Sequence, residues 1–202
     1  NLVSVTNPAG DTHEMAYSGG LLSRFVKPTG AFNKFEYDTE GRLIKDTDAV
    51  SGGWNIVRNE IDAGYSHSMT TGENRTIVFK VENLASGDRR QVNTMPDGTV
   101  QTTLYKTNGE QVSTAADGVI SNLLQTPDPR FGMQAPLAGS MSVKLPSGLT
   151  ATASTTRTTP LGNPNDLLSL TSLTDTFTVN GKTSTRVFNK AALTTTQTSP
   201  QG

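Results

Sequence analysis

The sequence predicts an all-β fold in which antiparallel hairpin repeats form a continuous curved sheet, and three observations carry that expectation. A Pro-x-Gly tripeptide recurs at Pro8-Ala9-Gly10, Pro28-Thr29-Gly30, Pro96-Asp97-Gly98, Pro146-Ser147-Gly148 and Pro200-Gln201-Gly202. In three of these the Gly is followed seven residues later by Tyr, from Gly10 to Tyr17, Gly30 to Tyr37 and Gly98 to Tyr105, and in the last two a further Gly follows at Gly41 and Gly109. The stretches between turns, such as AFNKFEY, TVQTTLY and TIVFKVEN, carry the β-branched and aromatic residues that suit a pleated, half-buried surface.

The spacing has a mechanical reading. Pro presets φ for the first corner of a turn, and Gly supplies positive φ where the chain reverses. About six residues then make a strand of ordinary length before the second Gly-centred turn sends the chain back. Residues 1 to 125 read as a sheet of such tiles, interrupted at 49 to 75 by an irregular insertion or a degenerate tile. Residues 126 to 139 (TPDPRFGMQAPLAG) read as a turn-rich connector, after which the sheet continues to 202. Within that second part, residues 150 to 165 are Thr-rich with Pro160 and Pro164, which suits an edge strand or a loop. Asp166 to Leu170, with Asn165 as a capable cap, is the best helical candidate, but Ser and Thr crowd the next residues, so it reads as a turn leading into a strand. Asn180-Gly181 between two alternating runs predicts a tight hairpin.

Composition bounds the function. Hydrophobic residues make up 33% and charged residues 17% of the 202, against about 45–50% (Gly included) and 25% in an average globular chain. A core this thin suggests burial completed against neighbouring segments. The net charge of −1 favours neither nucleic acid nor an anionic membrane surface. The apolar runs are only a few residues, far short of the roughly 20 of a membrane-spanning helix, so no membrane insertion is expected. With no Cys there are no disulfides, thiolate metal sites or Cys nucleophiles.

The cassette GAFNKFEYDTEGRL resembles the tyrosine–aspartate (YD) repeat of the Rhs and teneurin family, an aromatic-containing strand followed by Tyr-Asp, about two variable residues and Gly-Arg-Leu. Tyr37, Asp38, Gly41, Arg42 and Leu43 match position by position. The tile at HEMAYSGGLLSRF keeps Tyr17 and Leu22 but has Ser18 for Asp and a turn one residue shorter. TTLYKTNGEQV keeps Tyr105 and Gly109 but has Lys106 and Glu110 in place of Asp and Arg. The resemblance implies a fragment of a hollow β-shell that stops mid-array, with adjacent repeats of the same polypeptide as its neighbours. It also implies an enclosed toxin or other cargo polypeptide, and a secreted or cell-surface location, in bacteria above all. Gly10, Tyr17, Gly30, Tyr37, Asp38, Gly41, Arg42, Leu43, Gly98, Tyr105 and Gly109 are then structural: Gly for positive φ, Tyr for cross-strand packing, Asp38 for an Asx-type bond to its turn.

Few residues invite chemistry. His13 and His67 sit in no metal-ligating or catalytic spacing, and no phosphate-loop, dinucleotide or nucleophile-elbow motif is present. No enzyme activity, cofactor or metal is expected. Asp46-Thr47-Asp48 and Asp62 carry the oxygen ligands that Ca²⁺ wants but lack an EF-hand or RTX pattern, so they read as solvated turn residues. Asp128-Pro129-Arg130 has a faint likeness to the Asp-Pro segment at which bacterial members of the family cut off their C-terminal toxin, and reads first as a Pro-fixed turn. Trp54 is the residue most free to contact a ligand, and an aromatic on a flat sheet suits a sugar ring. The alternative to a shell segment is therefore an adhesin-like module that binds a glycan or a protein; a polysaccharide-acting enzyme would need two carboxylates at a fixed separation.

Overall fold

In a computed structural model, residues 1–200 are described; the last Pro-x-Gly turn, Pro200-Gln201-Gly202, falls in part outside the described residues. The described chain is all-β and antiparallel, with seventeen strands and no helix. The first strands are β1 (Ser4–Thr6), β2 (Thr12–Ser18), β3 (Leu21–Val26), β4 (Phe32–Tyr37), β5 (Leu43–Asp48), β6 (Gly53–Ile61), β7 (Gly64–Thr71), β8 (Thr76–Asn83) and β9 (Arg89–Thr94). Then come β10 (Val100–Tyr105), β11 (Glu110–Thr114), β12 (Ile120–Asp128), β13 (Gly132–Lys144), β14 (Thr150–Thr158), β15 (Ser172–Val179), β16 (Lys182–Asn189) and β17 (Thr194–Thr198). Two compact units result: Asn1–Glu82 with Gln91–Val100, and Asn83–Arg90 with the chain from Gln101 on. In the first, β1 to β8 pair antiparallel in sequence order. In the second, β10 to β17 do the same.

One turn makes most of these reversals. The N–H of its first residue donates to the carbonyl of the fifth, and the N–H of the fourth donates to the carbonyl of the first, as in Lys27 N to Ala31 O (2.8 Å) and Gly30 N to Lys27 O (2.9 Å). The pattern recurs ten times among the described residues, starting at Asn7, Lys27, Asp38, Asp48, Thr71, Leu84, Met95, Lys106, Ala115 and Leu145. This is the three-residue hairpin loop in which a type I turn is followed by a left-handed residue. That fourth position is Gly10, Gly30, Gly41, Gly87, Gly98, Gly109, Gly118 or Gly148 at φ of 80° to 90°, and Ser51 and Asn74 at 65° and 59°. The Pro of Pro-x-Gly fills the second position, and Thr39, Ala49, Gly72, Ala85, Thr107 and Ala116 fill it elsewhere. Asn180-Gly181 forms the expected tight hairpin between β15 and β16, with φ of 47° and 80° and Val179 opposite Lys182.

Strand register sorts the side chains of the first unit, because alternate residues point to opposite faces. One face gathers Met15, Tyr17, Leu22, Phe25, Phe35, Tyr37, Leu43, Trp54, Ile56, Tyr65, Met69, Ile77, Phe79 and Val81. The other carries Glu14, Arg24, Lys34, Glu36, Lys45, Asn55, Asn59, Ser66, Ser68, Thr70, Thr76 and Lys80 together with Val26, Phe32, Val57, Ile61 and Val78, while Asp46, Asp48, Arg58, Glu60 and His67 share the first face, so the sorting is one of degree. In the second unit, one face of β14 to β17 is an array of hydroxyls, with Thr156, Thr176, Thr185 and Thr198 in one cross-strand row. The other holds Met141, Val143, Leu173, Phe177, Val179 and Phe188 beside Arg157 and Asp175.

No apolar side chain is buried among the described residues; the two buried side chains are Asp128 and Asp175. In each unit the strands lie side by side, so apolar groups are half-covered by their neighbours along the sheet rather than by a second layer.

Three stretches differ from the sequence expectation. Of the two readings of residues 49 to 75, the irregular insertion fails and a hairpin takes its place: β6 and β7 pair without interruption from Trp54 opposite Thr71 to Ile61 opposite Gly64, joined by a two-residue turn, Asp62-Ala63, with no Gly in the turn itself. The supposed connector 126 to 139 belongs to β12 and β13. Its three prolines fit because Pro127 lies at a register shift, Pro129 in the turn between β12 and β13, and Pro136 on the part of β13 that pairs with β12 alone. The Thr-rich stretch from 150 is neither edge nor loop up to Thr158: β14 pairs with β13 and β15 on its two sides, and Pro160 lies beyond its end. Asp166 to Leu170 is turn-like, and an isolated bridge joins Leu161 to Leu170.

Candidate functional site

The residues of the first unit that combine an aromatic face with polar groups meet around Trp54. Four strands bring them together on the apolar-rich face: Asn33 on β4, Asp46 and Asp48 on β5, Trp54 on β6 and Thr71 on β7. Register sets Trp54 directly opposite Asp46 on one side and Thr71 on the other, and Asn33 opposite Asp48. These side chains, with Glu73 and Arg75 from the β7–β8 turn, line an open groove of about 450 Å³.

The backbone beside Trp54 explains why the groove exists. Gly53 has φ of 132°, and a Cβ there would stand 1.9 Å from the carbonyl oxygen of Asp46. Only Gly lets β5 and β6 approach this closely. Asp48 is held by its own turn, its Oδ1 accepting from Val50 N (2.9 Å) and Gly52 N (2.8 Å). Asn33 Nδ2 donates to Asp46 Oδ1 at 2.9 Å. Asn33 Oδ1, Asp46 Oδ2 and Asp48 Oδ2 accept no hydrogen bond from the described residues. Trp54 is half-buried, and no other ring or cation stacks on it among the described residues. Asp46 and Asp48 share a face because they are two residues apart; no group of three or more His, Asp or Glu that could hold a metal occurs among the described residues.

The repeat residues lie in the turns and strands that shape the sheet. Gly10, Gly30, Gly41, Gly98 and Gly109 all take the fourth position of the recurring turn. Tyr17 donates from its hydroxyl to Leu2 O and Tyr37 to Leu22 O, each at 2.8 Å and each across 15 residues, so the contact repeats with the tile. Tyr105 instead lies under the Arg89 guanidinium, 4.8 Å from its ring centre. Asp38 Oδ1 accepts from Glu40 N and Arg42 N, and Oδ2 from Arg42 Nε at 2.8 Å; the Arg42 bond, above all, holds the carboxyl below the usual range. Leu43 stands opposite Tyr37 across a bulge. His13 stacks on Phe25 at 5.4 Å, and His67 lies 3.3 Å from Arg58 Nη1 with its ring edge-on to Tyr65; Asp62 is exposed in its turn.

One charged cluster lies outside the sequence expectations. Arg157 on β14 forms a two-pronged pair with Asp175 on β15, Nε to Oδ1 at 2.6 Å and Nη2 to Oδ2 at 3.0 Å, and reaches Asp128 Oδ2 through Nη1 at 3.1 Å. Asp128 Oδ1 also accepts from Arg130 N (2.8 Å) and Phe131 N (3.2 Å), closing the turn after Pro129. Burial raises the Asp128 pKa, but the bonds from Arg130 N, Arg157 and Phe131 N outweigh it and hold the carboxyl below its ordinary value. The Arg157 guanidinium is held firmly charged, first by its bond to Asp175. The alternation of β14 and β15 could have flagged the Arg157–Asp175 pair, but nothing local ties either residue to Asp128.

Comparison with models of known protein families gave no match, and comparison with curated protein sequences gave none either.

Proposed function

We propose that the chain is a structural segment: a repeat β-array that walls off or presents a cargo polypeptide, in the manner of an Rhs-type shell. The observation that carries this reading is that no apolar side chain is buried among the described residues, while Trp54, the tyrosines and most of the large apolar groups of the first unit share one face of the sheet. A sheet of that kind has one wettable face and one that gains from being covered. The match of Tyr37, Asp38, Gly41, Arg42 and Leu43 to the YD unit, and the repeat of the tyrosine hydroxyl contact at Tyr17 and Tyr37, support the same reading. The tiles then act by burial and exclusion, adjacent repeats are the chain's immediate partners, and no residue is catalytic.

The test is the natural reading frame on both sides of residues 1 to 202. Further Gly-x6-Tyr-x3-Gly tiles, followed by an unrelated variable segment, are the expected result. Flanking sequence without tiles, or a natural start and stop beside Asn1 and Gly202, overturns the shell.

A further inference from the structure

We infer that the groove beside Trp54 is a binding site for a neutral saccharide. This goes beyond the wall reading and stands apart from it, since it rests on six side chains of one groove rather than on the repeat.

Saccharides offer a flat patch of C–H bonds on one side of the ring and directed hydroxyl pairs around its rim. A site for them needs an uncovered aromatic face with hydrogen-bond acceptors alongside. Trp54, half-buried, lines the groove, and no ring or cation of the described residues stacks on it. Asn33 Oδ1, Asp46 Oδ2 and Asp48 Oδ2 supply acceptors with no donor from the described residues, and the groove they line holds about 450 Å³. Two of the three acceptors sit on side chains already fixed from behind: Asp48 by its turn amides and Asp46 by Asn33. Ligand hydroxyls would therefore meet oriented partners, which lowers the entropic cost of binding.

Charge narrows the ligand. Asp46, Asp48 and Glu73 face one cation, Arg75, which already pairs with Glu73 at 3.2 Å. Such a groove repels uronic and sialic acids and accepts uncharged hydroxyl donors.

Trp54 is the only tryptophan in the chain, so its emission reports on the groove directly. The full chain is titrated, in EDTA, with cello-, malto-, chito- and manno-oligosaccharides and with lactose. The expected result is a saturable emission change with at least one of them, with a dissociation constant of about 1 mM, the weak end of specific binding. Asp46→Asn should weaken it about tenfold, while Asn55→Ala, next to Trp54 in sequence but on the opposite face, should leave it unchanged; circular dichroism checks that both fold. Three results overturn the inference: no saturable change with any of these sugars, a change that Asp46→Asn leaves intact, or a change that appears only when Ca²⁺ replaces EDTA, which would make the carboxylates a cation site. None of these outcomes bears on whether further tiles flank the chain.

Discussion

Gly53 and Gly10 both have positive φ, yet substitution should affect them differently. A Cβ at Gly10 meets no atom within 4 Å, so Gly10→Ala should cost only the left-handed strain, about 1–2 kcal/mol. A Cβ at Gly53 would lie 1.9 Å from Asp46 O, so the strands must part, and Gly53→Ala should cost at least about 3 kcal/mol and perturb Trp54 emission. Urea denaturation of the two variants measures the contrast. Arg157 is the other residue on which much rests. Arg157→Leu leaves the nearly inaccessible Asp175 carboxylate without its ion pair, and Asp128 with only its two backbone bonds and Arg130 Nε at 4.0 Å, and should cost about 3–5 kcal/mol. The pH dependence has a definite sign. Asp128 has a folded pKa below its unfolded value, so its contribution is present above the unfolded pKa of about 3.9 and is lost as pH falls through the lower folded value. Wild-type acid unfolding should begin below about pH 4, and Arg157→Leu, by removing that stabilisation, should move its onset to higher pH. An unchanged acid midpoint in the variant would contradict this.

Among the elements, the recurring turn and the tyrosine contact carry the tile. Tyr37→Phe removes the bond to Leu22 O at a half-buried position and should cost about 0.5–1.5 kcal/mol, with Tyr17→Phe at the low end because its contact is exposed. At the turn position where Gly usually sits, Ser51 holds φ of 65°, so Ser51→Gly should stabilise by up to about 1 kcal/mol; Asn74→Gly should gain less, since Asn tolerates this region. Thermal melts rank the four variants. The same turn shows what could be read in advance. Where Pro occupies the second position and Gly the fourth, the motif announces itself, and Pro8, Pro28, Pro96 and Pro146 all mark real turns. Where Ser51 or Asn74 takes the left-handed place, or Asp62-Ala63 closes β6 onto β7 without Gly, the local signal vanishes and a regular hairpin looks irregular. Trp54 could be singled out by type. Its groove could not, because Asn33, Asp46, Asp48 and Thr71 become neighbours only through the register of four strands.

In the molecule as a whole, backbone ladders, repeated turns and sideways packing hold the chain, without a buried apolar core among the described residues. Apolar exposure on unfolding governs the heat-capacity change, while polar exposure lowers it. An ordinary protein of 202 residues would show about 2.4–3.0 kcal/mol/K, at about 12–15 cal/mol/K per residue. Differential scanning calorimetry of the chain, on protein shown to be monomeric by sedimentation, measures this directly. Single-layer sheets should give a value well below that range. A value within it would mean that the apolar faces are fully buried in the monomer, and would contradict the single-layer reading of each unit.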